Sequence, residues 1–219
     1  MRYKCLITDH DDTVVKSTET IHYPAFISFM KMQGRDMTKQ ISIEKYLEHN
    51  CTGSIIDFYL NEVGLSKELL EKETAFWREC VNNCVPKAYD GLKEILSRFK
   101  SMGGKIYVAS HSESRFILRD YKENQLPTPD GVFGYDSPKE LIKPSPLIVD
   151  SVREKWGFSK DEILVLDDLK HGYDMAHSAG VDFAAAGWGY SVLKVEELMA
   201  GISKYYLKSV NDLSELLFG

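Results

Sequence analysis

The chain has 219 residues, 43% apolar and 27% charged, enough to bury a sizeable core in one or two domains. A formal net charge of only −6 with plentiful aromatics excludes a disordered chain, and the lack of a Lys and Arg surplus argues against a partner that must be gripped by its phosphates, so no nucleic acid is expected. No apolar run approaches the ~20 residues of a membrane span, and Met1-Arg2-Tyr3-Lys4 leads straight into a strand-like segment, so a cytoplasmic protein with no membrane partner is expected.

Residues 3–8 form a short apolar run, too brief for a helix, that stops at Asp9-His10-Asp11-Asp12 and reads as a buried strand ending in a polar loop. From about residue 17 to 85 the periodicity is helical. One helix is expected around Phe26, Phe29 and Met30, another over 54–63 and a third over 67–84, with Phe26, Phe29, Phe58 and Leu60 as their core. Cys80 and Cys84 stand one turn apart and read as reduced thiols; with Cys5 and Cys51 they show no zinc-site spacing.

After Pro86 the pattern alternates. A helix over 90–102, stopped by Gly103-Gly104, precedes a strand over 105–109 that ends at Ser110-His111-Ser112. A helix over 114–124 and a strand-like piece at Val132-Phe133 follow, and Lys143-Pro144-Ser145-Pro146 opens a helix through Trp156. A strand over 163–166 ends at Asp167-Asp168. Beyond it come a helix over 172–180, a strand over 181–185 and a last helix over 210–217. Repeated strand–helix–strand order implies right-handed crossovers and a doubly wound parallel α/β sheet of Rossmann-like type, interrupted by the helical stretch. In such sheets ligands sit at the carboxyl ends of the strands, where Asp9, Asp11, Ser110, Asp167 and Asp168 fall, with Lys143 at a helix start. Carboxylates, a hydroxyl and an ammonium suit phosphoryl transfer: a nucleophile, oxygen ligands for a hard cation such as Mg²⁺, and donors to phosphate oxygens.

These residues resemble the four signatures of the haloacid dehalogenase-like hydrolases. Thr8-Asp9-His10-Asp11-Asp12-Thr13-Val14-Val15 is similar to the first, Ser110 to the second, Lys143-Pro144-Ser145-Pro146 to the third and Leu166-Asp167-Asp168 to the fourth. The resemblance implies a core of residues 1–15 and 88–219 and a helical cap of 16–87, as in the phosphoglycolate phosphatase and β-phosphoglucomutase branch. Gly187-Trp188-Gly189-Tyr190 resembles the stretch that follows the fourth signature in that branch. The resemblance also implies roles. Asp9 attacks phosphorus and Asp11 is general acid, then base. Asp9, the Asp11 carbonyl and Asp168 hold Mg²⁺, Ser110 and the His111 N–H hold phosphate oxygens, and Lys143 offsets their charge. Having Asp11 points to phosphate esters, since dehalogenases lack the second Asp and phosphonate-cleaving members carry a small residue there.

Where relatives carry a second acid in the fourth signature, this chain has Gly172; Asp168, 12 residues before Gly180, is the expected ligand, and Asp167 supports it or replaces it. In the cap, Glu48-His49-Asn50-Cys51-Thr52-Gly53 reads as a polar break before a helix, making His49, Thr52 and Gly53 the candidates for substrate specificity. His10 is set aside as a catalyst and His111 kept as a possible donor to phosphate; His171 and His177 read as a solvated helix face, and Trp188 and Tyr190 as packing. The implied function is Mg²⁺-dependent hydrolysis of a small phosphorylated metabolite, by a monomer or homodimer, through an aspartyl phosphate. A phosphosugar mutase and a catalytically degraded phospholigand-binding protein are the alternatives.

Overall fold

The computed structural model describes residues 1–189 and 192–219; Tyr190, expected to pack, lies outside them. Six parallel strands form one sheet in the order β3-β2-β1-β4-β5-β6: β1 Cys5–Thr8, β2 Lys105–Ala109, β3 Gly131–Phe133, β4 Ile163–Asp167, β5 Asp182–Ala186 and β6 Tyr205–Leu207. β1 sits between β2 and β4, with Leu6 opposite both Ile106 and Leu164. The chain therefore leaves β1 first toward one edge and later toward the other, the switch that opens a crevice at the strands' carboxyl ends.

All four β1 residues are buried, as a central strand covered on both faces requires. Alternation divides the core. Leu6, Ile106 and Leu164 meet Leu92, Phe99, Ile117 and Leu213 on one face, from helices α5 Leu92–Ser101, α6 Ser114–Glu123 and α10 Val210–Phe218. On the other, Ile7, Tyr107 and Val165 meet Ile148, Met175 and Met199, from α7 Leu147–Trp156, α8 Lys170–Ala179 and α9 Leu193–Ile202.

Between β1 and Ala88 the chain is helical. A π-helical turn, Thr18–His22, runs into α1 Tyr23–Met32, followed by α2 Ile43–Thr52, α3 Ile55–Asp57, a second π-helical turn Phe58–Glu62 and α4 Lys67–Asn83. This segment has an aromatic core of its own in which Phe26 stacks on Tyr59 at 5.4 Å between centroids, Phe29 and Phe58 are buried, and Leu60 is only half-buried. Its two connections to the sheet run side by side, Lys16 N donating to the Lys87 carbonyl at 2.9 Å.

The expected polar break at 48–53 is instead the last turn and a half of α2. Ser42 Oγ caps the helix by accepting from Lys45 N, and its buried residues serve two cores, Tyr46 the helical segment and Leu47 and Cys51 the sheet face under α8 and α9. The break falls at Gly53-Ser54, where Ser54 caps α3. Strand β6 and helix α9, not anticipated, complete the far edge. All four cysteines are free thiols. No helix among the described residues is long and apolar enough to cross a membrane.

Candidate active site

Parallel strands present their carboxyl ends together, and here the ends of three neighbouring strands, β2, β1 and β4, carry polar residues. Asp9 follows β1, Ser110 follows β2, Asp167 closes β4 and Asp168 follows it. All four are buried. Lys143, from the loop before α7, reaches into the same space and donates to Asp9 Oδ1 and to Asp167 Oδ2, each at 2.6 Å. Leu169 N donates to Asp167 Oδ1 at 2.8 Å and the Thr13 hydroxyl to Asp168 Oδ1 at 3.0 Å. Of the sequence candidates, Asp9, Asp11, Ser110, His111, Lys143 and Asp168 all line one cavity of ≈ 520 Å³ between the sheet and the helical segment.

Three carboxylates against one ammonium leave an excess of buried negative charge. Burial raises the proton affinity of Asp9 to a pKa of about 6; Lys143 works against this, and the charges of Asp167 and Asp11 add to it. Asp168 is raised well above the carboxylate range by burial and by Asp167, Asp9 and Asp12. Lys143 itself stays charged, since its two carboxylates outweigh the desolvation that would neutralise it. Carboxylate oxygens of Asp9, Asp167 and Asp168 lie within 4.8 Å of one another, a donor set of hard oxygens that fits a divalent cation such as Mg²⁺. Asp167 thus belongs to this cluster as fully as Asp168.

Position 172 accounts for part of that. A Cβ on Gly172 would stand 2.3 Å from both Cβ and Oδ2 of Asp167, so the Asp167 side chain fills the volume that any residue at 172 needs. A carboxylate rooted on the strand occupies the place where one rooted on the helix would stand.

Asp11 faces away from that cluster. Its Oδ1 bonds His22 Nε2 at 3.1 Å and its Oδ2 accepts from the Ser112 hydroxyl at 2.5 Å. Burial alone would raise this carboxyl; the His22 bond and charge, His10 and Ser112 outweigh it and hold it well below the usual range. Trp77 Nε1 donates to His22 Nδ1 at 2.9 Å. An indole N–H only donates, so Nδ1 accepts and the proton sits on Nε2, pointing at Asp11. Burial works against protonation of His22, the Asp11 pair draws it toward protonation, and the Trp77 bond, which needs the Nδ1 lone pair, sides with burial.

None of His22, Trp77 and Ser112 was singled out from the sequence, because what selects them is tertiary: His22 ends a π-helical turn whose extra residue turns it toward Asp11. Asp12 works beside them by accepting from Ser17 N and Thr18 N at 3.1 Å each, which anchors that turn.

The remaining candidates divide. His111 Nε2 donates to the Lys143 carbonyl at 3.0 Å, and burial with the nearby Lys143 charge lowers its pKa to about 4, so the ring is neutral. His171 is not on a solvated face: it lines the cavity and meets His111 edge-on at 5.3 Å. His10 is buried against Asp120. Trp188 packs on the core and donates to the Thr13 carbonyl at 3.1 Å. Gly53 lines the cavity. His49 and Thr52 do not: His49 stacks on Phe58 at 4.6 Å and pairs with Glu62, and Thr52 is exposed, its hydroxyl turned to the Glu48 carbonyl. Both are corrections that follow from α2 being helical to Thr52, which turns these two side chains away from the opening.

A family model described as haloacid dehalogenase-like hydrolase matches residues 6–186. No curated protein matches the sequence. Solved structures share the fold at low identity. A haloacid dehalogenase-like family hydrolase from Streptococcus pneumoniae is 16% identical, with 98% of each chain covered and a TM-score of 0.78. A conserved haloacid dehalogenase-like protein from Agrobacterium tumefaciens is 21% identical over 98% of this chain and 97% of that one, at 0.76. A predicted phosphoglycolate phosphatase from Haemophilus somnus is 17% identical over 99% and 98%, at 0.77. The family match spans most of the chain, from within β1 to the end of β5, and the strand-end side chains it encloses converge on one cavity: the chain belongs to the haloacid dehalogenase-like hydrolases.

Proposed function

We propose that the chain is a Mg²⁺-dependent phosphomonoester hydrolase of small phosphorylated metabolites. The observation that carries this reading is Asp9: a buried carboxylate at the end of the central strand, held by Lys143 beside Asp167 and Asp168, facing a cavity large enough for a metabolite. The Asp9 carboxylate attacks phosphorus while Asp11, having first taken up a proton from solvent against the hold of His22 and Ser112, gives it to the departing oxygen, so that the O–P bond to the alcohol breaks as the Asp9 O–P bond forms. Asp11 then takes a proton from the water that splits the aspartyl phosphate, returning Asp9 and releasing phosphate. Ser110 Oγ and the His111 N–H bind phosphate oxygens, and Lys143 offsets the charge of Asp9 and the phosphoryl group.

Asp9, Asp167, Asp168 and the Asp11 carbonyl would hold Mg²⁺, which when bound offsets the repulsion between an anionic nucleophile and a phosphate dianion. Segment 16–87 acts as a cap that excludes water and selects the substrate. The Asp167 carboxylate over Gly172 supports an active enzyme over a degraded binding protein, because the acidic set is complete without an acid at 172.

The test is phosphate release from a panel of phosphorylated metabolites and an aryl phosphate, with and without Mg²⁺. Release should require the metal and fall by more than ~10³-fold in Asp9→Asn. Release that survives Asp9→Asn, or none from folded protein across the panel, would overturn the proposal.

A further inference from the structure

The phosphate end of the cavity is described above; its far wall is not. There the lining comes from α2, the second π-helical turn and α4, with Tyr46, Tyr59, Leu70, Trp77 and one carboxylate, Glu73. Glu73 is 4% exposed, in the middle of a helix otherwise clothed in exposed Lys and Glu. No Lys or Arg pairs with it among the described residues; its partner is the Tyr59 hydroxyl, which in turn lies 3.3 Å from the Tyr46 hydroxyl. The positive charge near it, His22, is already engaged by Asp11, and a buried carboxylate left to share it is a costly arrangement that a packed helix has no structural need of. Besides Lys143 at the phosphate end, the cavity is lined by Arg78, which is at the rim, half exposed and bonded through Nε to Glu113 at 2.7 Å.

From this wall we infer that the substrate is a phosphomonoester whose end remote from the phosphate carries a hydrogen-bond donor, an ammonium above all, and not a carboxylate. The inference deepens the hydrolase reading and rests on it. Three features converge. Glu73 offers an acceptor in a place that water reaches poorly, where a paired charge counts for more than in bulk solvent. The ring of Trp77, on the same wall, suits a cation in preference to an anion. A carboxylate in the same place would meet Glu73 as a like charge. Burial raises the Glu73 pKa to about 7, so the group is part-ionised near neutral pH and an ammonium beside it would favour the charged form.

Matched two- and three-carbon phosphate esters ending in an amine, a hydroxyl or a carboxylate test this, phosphoethanolamine and phosphoglycolate being the two-carbon extremes. With Mg²⁺ at neutral pH, kcat/KM should fall in the order amine, hydroxyl, carboxylate, the first exceeding the last at least ~10-fold. In Glu73→Gln, which keeps the shape and a partner for Tyr59, that ratio should collapse toward unity. A ratio between two substrates on one preparation is insensitive to the fraction folded. Calorimetric binding of the same esters to Asp9→Asn gives the order without turnover.

Amine preference lost in Glu73→Gln supports the inference. Turnover with no preference, or a carboxylate preference that Arg78→Gln abolishes, overturns it while leaving the hydrolase intact. No turnover of any ester sinks the hydrolase reading instead, and the binding order then decides this one.

Discussion

At Gly172 the side chain is absent for want of room. Asp167 is fixed by Lys143 on one oxygen and by the Leu169 amide on the other, so it has no rotamer into which to retreat from a Cβ at 2.3 Å. Gly172→Ala should therefore cost roughly 1–3 kcal/mol by overpacking and weaken Mg²⁺ binding by displacing a carboxylate of the acidic cluster. Gly172→Asp alone should do worse, adding a charge to a site already overcharged. Combined with Asp167→Gly it should recover metal affinity, because one carboxylate then occupies the vacated volume from the helix side. Calorimetric Mg²⁺ titration of the two single variants and the double variant checks this: a double variant no better than Gly172→Asp would show that the two positions do not share one space.

The elements that were legible in the sequence are those whose pattern and environment agree. β1, β2 and β4 are short apolar runs, each broken by a polar residue that the sheet then delivers to one edge, so Asp9, Ser110 and Asp168 followed from the strands. Helix α2 was not legible because its buried residues answer to two cores, which leaves a mixed pattern where a single apolar stripe is expected. His22 and Trp77 were hidden because what gives them a role is a contact across 55 positions. Glu73 was hidden within α4, where a glutamate every few residues reads as a solvated face.

That burial makes a measurable difference to the stability of this element. Burial raises the Glu73 carboxyl from its ordinary 4.5 to about 7, against the Tyr59 hydrogen bond and the charge of His22. A carboxyl whose proton affinity is higher folded than unfolded contributes stability that is complete below pH 4.5 and is lost as the pH rises through about 7. Between pH 5 and 8 the wild type should lose roughly 2–3 kcal/mol more than Glu73→Gln, since each pKa unit corresponds to about 1.4 kcal/mol. Asp9 and Asp12, each raised to about 6, add to the loss in both proteins and cancel in the comparison. Urea unfolding of both at several pH values decides it: parallel curves would mean that Glu73 is not desolvated in the folded protein.

For the molecule as a whole, the helical segment and the sheet are joined by buried packing of Leu47 and Cys51 and of Val81 on Phe116, by Arg119 donating to the Val81, Asn82 and Cys84 carbonyls, and by weaker ties at the rim. Helix α2 packs on α8 and α9, while Arg78–Glu113 and Lys194–Glu48 bridge the rim as exposed ion pairs, each worth less than ~1 kcal/mol. The acidic cluster beneath them is where the largest unbalanced charge lies, and a cation that neutralises it stabilises the whole fold by mass action. At ~100 times its dissociation constant the gain is about 2.7 kcal/mol, which for a chain of this length raises Tm by roughly 5–10 °C. The gain should depend on pH. Raised proton affinities at Asp9 and Asp168 mean that protons compete with the metal, so the shift should be full at pH 7.5 and shrink as the pH falls through about 6. Chelation should remove it, and Asp168→Asn should be insensitive to Mg²⁺ at either pH. Calorimetric melting with added Mg²⁺ and with a chelator reads all of this without a substrate. An equal shift in wild type and Asp168→Asn would mean that the cation binds elsewhere, and Asp9, Asp167 and Asp168 would then have to be balanced by protons alone.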